Sequence, residues 1–212
     1  MTPTLNRPEA AQRAEWRTYR TMLVLLAFVY PFGGELIQAI RPSFADPLWT
    51  RLTIAGVSLL TLAASCWSRT VERSLPIALF VIFSGIAAHH ANLAVLSGLG
   101  EWALVSMIIA LSVYSATTYH RWALDFYLLV VAVALGVAVA VTPAKPTTIV
   151  AFVGSLGVLG VVFRVLFANR LTLLSELASS ERRFQQLVAL PSEGIALHDG
   201  NEIVDHNAAF AI

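Results

Sequence analysis

The chain has 212 residues, of which 57% are hydrophobic and only 13% charged. Its mean hydropathy is +0.72, and a soluble globular domain would carry about a quarter charged residues. That balance points to the bilayer. The formal net charge of +1 hides an uneven spread, because long stretches carry no charge while the arginines gather in short connectors and at the two ends; no nucleic acid is expected as a partner. A single cysteine, Cys66, lies in an apolar run. It gives no disulfide framework and no metal-ligand spacing, and reads as a packing residue.

Residues 1–20 form a polar N-terminal segment with Arg7, Arg13, Arg17 and Arg20. No small-residue cleavage site follows the first apolar segment, so the first helix is expected to be retained rather than removed as a signal peptide. Six apolar stretches come next, at about 21–40, 52–67, 75–96, 102–118, 122–141 and 147–167. Each is close to the roughly 20 residues that cross about 30 Å of hydrocarbon. The connectors hold chain breakers: Arg41-Pro42, Asp46-Pro47, Ser97-Gly98-Leu99-Gly100, and Pro143 and Pro146 around Lys145. None is long enough for a folded external domain.

Cytoplasmic connectors carry an excess of Lys and Arg. Eleven arginines fall on one side, in the N-terminal segment, the connectors near Arg69 and Arg121, and the stretch from Arg164 onward; only Arg41, Arg51 and Lys145 fall on the other. With six spans, this split puts both termini in the cytoplasm of a bacterial inner-membrane protein. Trp49, Trp67, Trp102 and Trp122 near span ends suit interfacial anchoring.

From Leu166 the chain reads as one continuing helix. Positions 166, 170, 173, 177, 180, 184 and 187 are Leu, Arg, Leu, Leu, Ser, Phe and Leu, a short, imperfect coiled-coil seam. Leu166, Leu173, Leu177, Phe184 and Leu187 are therefore the expected signal-transmitting residues of a parallel homodimer. The alternative is an amphipathic helix lying against its own bundle. Beyond Pro191 the apolar residues alternate around Asp199-Gly200-Asn201, which reads as a β-hairpin opening a mixed domain. Two strands are not independently stable, so the chain is expected to stop inside that domain.

Glu181-Arg182-Arg183-Phe184-Gln185-Gln186-Leu187-Val188, Pro191 to Ile195, and Ile203-Val204-Asp205-His206-Asn207-Ala208-Ala209-Phe210 resemble the beginning of a PAS domain, with its pre-strand helix, paired first strands and Asn-x-Ala turn. The resemblance covers about the last thirty residues. It implies an output domain further along, usually a histidine kinase or a diguanylate cyclase; no autophosphorylation His box, ATP-binding glycine motif or cyclase motif occurs in the sequence itself. The span order, Tyr30-Pro31-Phe32, Arg51 opening the second span, the basic connector before Leu75-Pro76, and Val141-Thr142 closing the fifth resemble the six-helix sensors of quorum-sensing receptor histidine kinases that detect α-hydroxyketone autoinducers. This second resemblance rests on pattern over residues 18–170, and departs in placing a PAS domain where those kinases can run directly to the His box.

Glu35, His89 and His90 are ionisable residues inside expected spans, where such groups normally face the bundle or a wet cavity. At 1.5 Å per residue, Glu35 and His89 each lie about 21 Å from the cytoplasmic end of their spans, at one depth in the outer half of the bilayer, so they can meet. A carboxylate and an imidazole in an apolar pocket offer donor and acceptor functions to a small lipophilic signal, and Pro31, Gly33 and Gly34 leave room beside the first span. Tyr30, Glu35, His89, His90 and Trp102 form the candidate ligand set. The competing reading is that Glu35 and a histidine only bond each other or snorkel outward, and only one of two adjacent histidines is expected to face a given direction. Haem is the other use of paired imidazoles, but His120 and His90 should lie about 20 Å apart along the membrane normal, which leaves single-His ligation. His198 and His206 read as surface residues. Gly136, Gly154, Gly157 and Gly160 are spaced for close helix contact; a transporter could use them, but no inverted repeat is visible.

The expected fold is thus an all-α membrane protein: a cytoplasmic segment (1–20), a six-helix transmembrane sensor (21–167), a signalling helix (168–187) and the start of an α/β PAS domain (188–212). The expected role is the input module of a two-component sensor histidine kinase, whose partners are the bilayer, a second copy, a small lipophilic signal and a response regulator reached through a kinase domain. A diguanylate cyclase output or a haem-based redox or gas sensor is the alternative. No catalytic residue, metal ligand or resident cofactor is assigned.

Overall fold

A computed structural model describes residues 9–40, 46–188, 196–199 and 202–206. The chain divides into two compact units, Met1–Phe167 and Ala168–Ile212. Helices follow one another as α1 (Glu9–Phe28), α2 (Tyr30–Ile40), α3 (Leu48–Trp67), α4 (Arg69–Arg73), α5 (Leu75–Leu96), α6 (Glu101–Thr117), α7 (Arg121–Val141) and α8 (Pro146–Val188), ahead of the strands β1 (Ala196–Asp199) and β2 (Glu202–His206). The 41–45 connector, the 191–195 approach to β1, the Gly200-Asn201 tip and the Asn207–Ala209 turn lie outside the described residues.

Among the described residues, four helices are long and apolar enough to cross a membrane: α3, α5, α7 and the Pro146–Ser180 part of α8. The chain is a membrane protein. α6 is apolar but shorter, at 17 residues. The first expected span, 21–40, is not one helix: it breaks at Val29 into the end of α1 and all of α2. Pro31 explains the break, since it has no N–H to continue the helical ladder and its ring crowds the preceding turn. The chain bridges it with Val29 N–H to Leu25 carbonyl at 2.8 Å and Phe32 N–H to Val29 carbonyl at 3.2 Å.

The first unit is built around α5. Half of its 22 residues are buried, and it packs against α7, α6, α3, α1 and α4. A helix apolar on all sides has no polar stripe to turn outward. The α5–α6 turn uses left-handed backbone at Gly98 (φ 65°) and Leu99 (φ 62°), and Leu99 N–H closes onto the Ala94 carbonyl at 2.7 Å. That closure reverses the chain tightly.

Two packing expectations change. Cys66 is exposed, because Ser65 takes the inward position on α3. A Cβ added at Gly136, Gly154 or Gly157 would meet nothing within 4 Å, and at Gly160 only Leu128 Cδ2 at 3.6 Å. The glycines therefore do not make close helix contacts within this chain; Gly136, Gly157 and Gly160 instead border an apolar cavity of about 460 Å³ between α7 and α8. In the second unit, Leu173, Leu177 and Phe184 of α8 are exposed, and Leu187 lies in α8 with its side chain outside the description. β1 and β2 pair antiparallel, Ala196 with His206 and Asp199 with Glu202, with a register shift between Leu197 and His198.

Candidate functional site

A cavity of about 400 Å³ lies inside the first unit. The α1–α2 segment gives it Leu26, Val29, Tyr30 and Gly33, spaced i, i+3, i+4, i+7; α5 supplies Phe83, Ile86, His89, His90 and Leu93; α6 supplies a stripe from Trp102 to Val113. Those spacings put each set on one helix face. The walls are apolar, and the polar groups sit together where α3 begins.

Arg51 organises that polar end. It is 1% exposed, the largest fully buried side chain among the described residues. A cation in the first turn of α3 meets the positive end of the helix dipole and has left water, so it needs anions nearby. Its Nη2 lies 3.1 Å from Glu35 Oε1 and its Nε 3.3 Å from Asp46 Oδ2, and Nη1 donates to the Pro31 carbonyl at the helix break. His89 Nε2 lies 3.2 Å from Asp46 Oδ1. The network runs Glu35, Arg51, Asp46, His89, and so ties α2, α3 and α5 together.

Four of the five residues expected at a ligand site line this cavity: Tyr30, His89, His90 and Trp102. Glu35 does not. It is 53% exposed at the side chain and reaches the site only through Arg51, so the expected Glu35–His89 meeting is replaced by two separate carboxylate contacts. Both histidines are buried and both border the cavity, against the expectation that only one would. Tyr30 explains this, because its ring lies 6.4 Å from each imidazole centroid and fills the angle between them. Among the described residues, the buried Tyr30 hydroxyl and the Nδ1 atoms of His89 and His90 have no hydrogen-bond partner. Buried polar atoms are normally satisfied, so these three mark where a polar ligand group would bind. Behind the cavity Phe83 packs on Tyr114 and Tyr127, with centroids 4.9 and 6.1 Å away.

Sequence reasoning missed Asp46 and the weight of Arg51. Asp46-Pro47 was legible as a breaker, but a lone cation beginning an apolar span was also a signal that a carboxylate must sit within reach. A second polar cluster, also missed, lies at the other end of the bundle. Tyr19 donates to Glu15 Oε1 at 2.7 Å, and His120 Nε2 lies 3.1 Å from the same oxygen, so His120 is held at the start of α7 and lines no part of the cavity. Burial, reinforced by the Glu15 carboxylate, pushes the Tyr19 hydroxyl up and keeps it a donor. Arg20 bonds Glu72 at 2.9 Å and the Ser65 carbonyl at 2.7 Å, fixing α1 to α3 and α4.

Compared with models of known protein families, with curated proteins and with solved structures, the chain matches none of them.

Proposed function

We propose that this chain is the membrane-embedded input module of a bacterial two-component sensor histidine kinase and that it binds a small lipophilic signal between its helices. The observation that carries the reading is the apolar cavity of about 400 Å³ bordered by three buried polar atoms that have no hydrogen-bond partner among the described residues. Small-molecule sites have this form: apolar walls and a few convergent polar groups. In this reading the part of α1 from Thr21 onward forms the first span together with α2, and α6 forms the fourth, giving six spans with both termini cytoplasmic. α8 then serves as sixth span and signalling helix, pairing with a second copy through Leu166, Leu173, Leu177, Phe184 and Leu187 ahead of a PAS domain and a kinase that addresses a response regulator. The exposed leucines of α8 support the pairing. A ligand biases such a module only as far as it prefers one helix packing over another.

The test is thermal unfolding of the chain in nanodiscs against a panel of straight-chain α-hydroxyketones and alkanols. A ligand at a hundredfold excess over Kd stabilises by about 2.7 kcal/mol. The reading expects at least one panel member to do so in the unmodified protein and not in Tyr30→Phe. Equal stabilisation of both proteins, or of neither by any member, would overturn it.

A further inference from the structure

The cavity wall is closed on some sides and open on another. On the α5 side Phe83 and Ile86 are each 1% exposed and Leu93 3%, and the polar end is sealed by Arg51 at 1% and Asp46 at 7%. Three other lining residues face outward: Val29 is 59% exposed, Val105 43% and Ile109 58%. They belong to two different walls, Val29 at the break between α1 and α2, Val105 and Ile109 on α6. Each is therefore a rim residue, touching the cavity on one side and the surroundings on the other. Gly33 continues the α1–α2 rim, and a Cβ there would meet nothing within 4 Å. The gap lies along apolar helix faces that, in the spanning arrangement proposed above, meet hydrocarbon rather than water.

Resting on the ligand-site reading, we infer that the cavity is loaded sideways from the bilayer through the gap between Val29 on one wall and Val105 and Ile109 on the other, and that its ligand is a neutral, single-chain amphiphile. Neutrality follows from the polar end. Buried Arg51 is matched one to one by buried Asp46, while Glu35 lies half-exposed outside the cavity, so a charged ligand would bring an uncompensated charge into a dry site. What is offered to a ligand is the Tyr30 hydroxyl and the imidazole Nδ1 atoms of His89 and His90, which suit a hydroxyl or a carbonyl. A single chain follows from shape: the α6 wall from Trp102 to Val113 runs about 16 Å at 1.5 Å per residue, in a cavity at the small end of the usual range of roughly 300–1,000 Å³. Tyr30 follows Val29 directly in the chain and lines the same cavity, so the head of an amphiphile entering there meets the Tyr30 hydroxyl while its chain lies against α6.

The experiment uses the full chain in nanodiscs and a medium-chain alkan-1-ol carrying a diazirine, photolysed at increasing times after mixing and mapped by peptide mass spectrometry. Saturable labelling of the cavity faces of α5 and α6, competed by the unlabelled alkanol, is expected in the unmodified protein. Val29→Trp and Val105→Trp, which narrow the gap from its two walls, should slow the onset at least tenfold. Ile109→Ala, which widens it, should hasten it, and Val133→Trp, on an exposed position of α7 away from this cavity, should leave it unchanged. Competable labelling whose onset is the same in the narrowed and widened variants would overturn lateral loading while leaving the ligand site standing. No competable labelling in the unmodified protein would overturn both.

Discussion

Replacing Arg51 by Met tests the central packing claim, because it removes the charge while keeping most of the side-chain volume. In the native network Asp46 is 7% exposed and lies 3.3 Å from Arg51; without the guanidinium its carboxylate keeps only His89 among the ion-pair partners described above, and the Pro31 carbonyl loses a donor. Breaking a buried pair by removing one partner costs roughly 3–5 kcal/mol, mostly from the charge left behind. For a chain of this length that corresponds to a fall in Tm of about 6–20 °C. Glu35 is 53% exposed at the side chain, so Glu35→Gln should cost no more than about 1 kcal/mol, as an exposed pair does. The double variant Arg51→Met with Asp46→Asn should recover part of the loss, since it removes the stranded charge. Thermal unfolding of all four proteins in nanodiscs measures the order. Arg51→Met as stable as Glu35→Gln, or a double variant less stable than Arg51→Met, would refute the reasoning.

Tyr30→Phe removes a buried hydroxyl that has no hydrogen-bond partner among the described residues, so its stability should be unchanged or higher by up to about 1 kcal/mol, while any ligand-dependent stabilisation is lost; unfolding with and without the hydroxyketone panel reads both. Gly98→Ala places a side chain at φ 65° and should cost about 1–2 kcal/mol, seen as a lower Tm with retained helicity. The Tyr19 hydroxyl titrates above its ordinary value in the folded chain, so the stability it contributes is fully present below about pH 10, the unfolded value, and is lost as pH rises through the folded value. Tyr19→Phe should flatten that alkaline loss and remove one late-titrating tyrosine from an absorbance titration.

The apolar helices were legible because membrane segments declare themselves by length and composition alone; the first stretch was expected as a single span, and its break at Val29 traces to Pro31. Tyr30, His89, His90 and Trp102 could be named for similar reasons: polar or amphipathic side chains in apolar segments have few places to go. What stayed hidden depends on tertiary geometry. Glu35 and His89 share a depth, but depth does not say which way a side chain points around a helix axis; Arg51 takes Glu35, and Asp46 takes His89. The spacing of Gly154, Gly157 and Gly160 suggested close contact, yet spacing does not name a partner: among the described residues a Cβ at Gly154 would meet nothing within 4 Å, and Gly157 and Gly160 border a cavity instead.

The most direct measurement joins the pocket to the proposed signalling helix. Leu177→Cys, made with Cys66→Ser, would be cross-linked by oxidation in native membranes with and without the hydroxyketone or alkanol that stabilises the protein best. The account predicts a disulfide-linked dimer whose rate of formation changes on ligand addition and no longer changes in the Tyr30→Phe background. A monomer under all conditions, or a dimer whose cross-linking ignores the ligand, would contradict it.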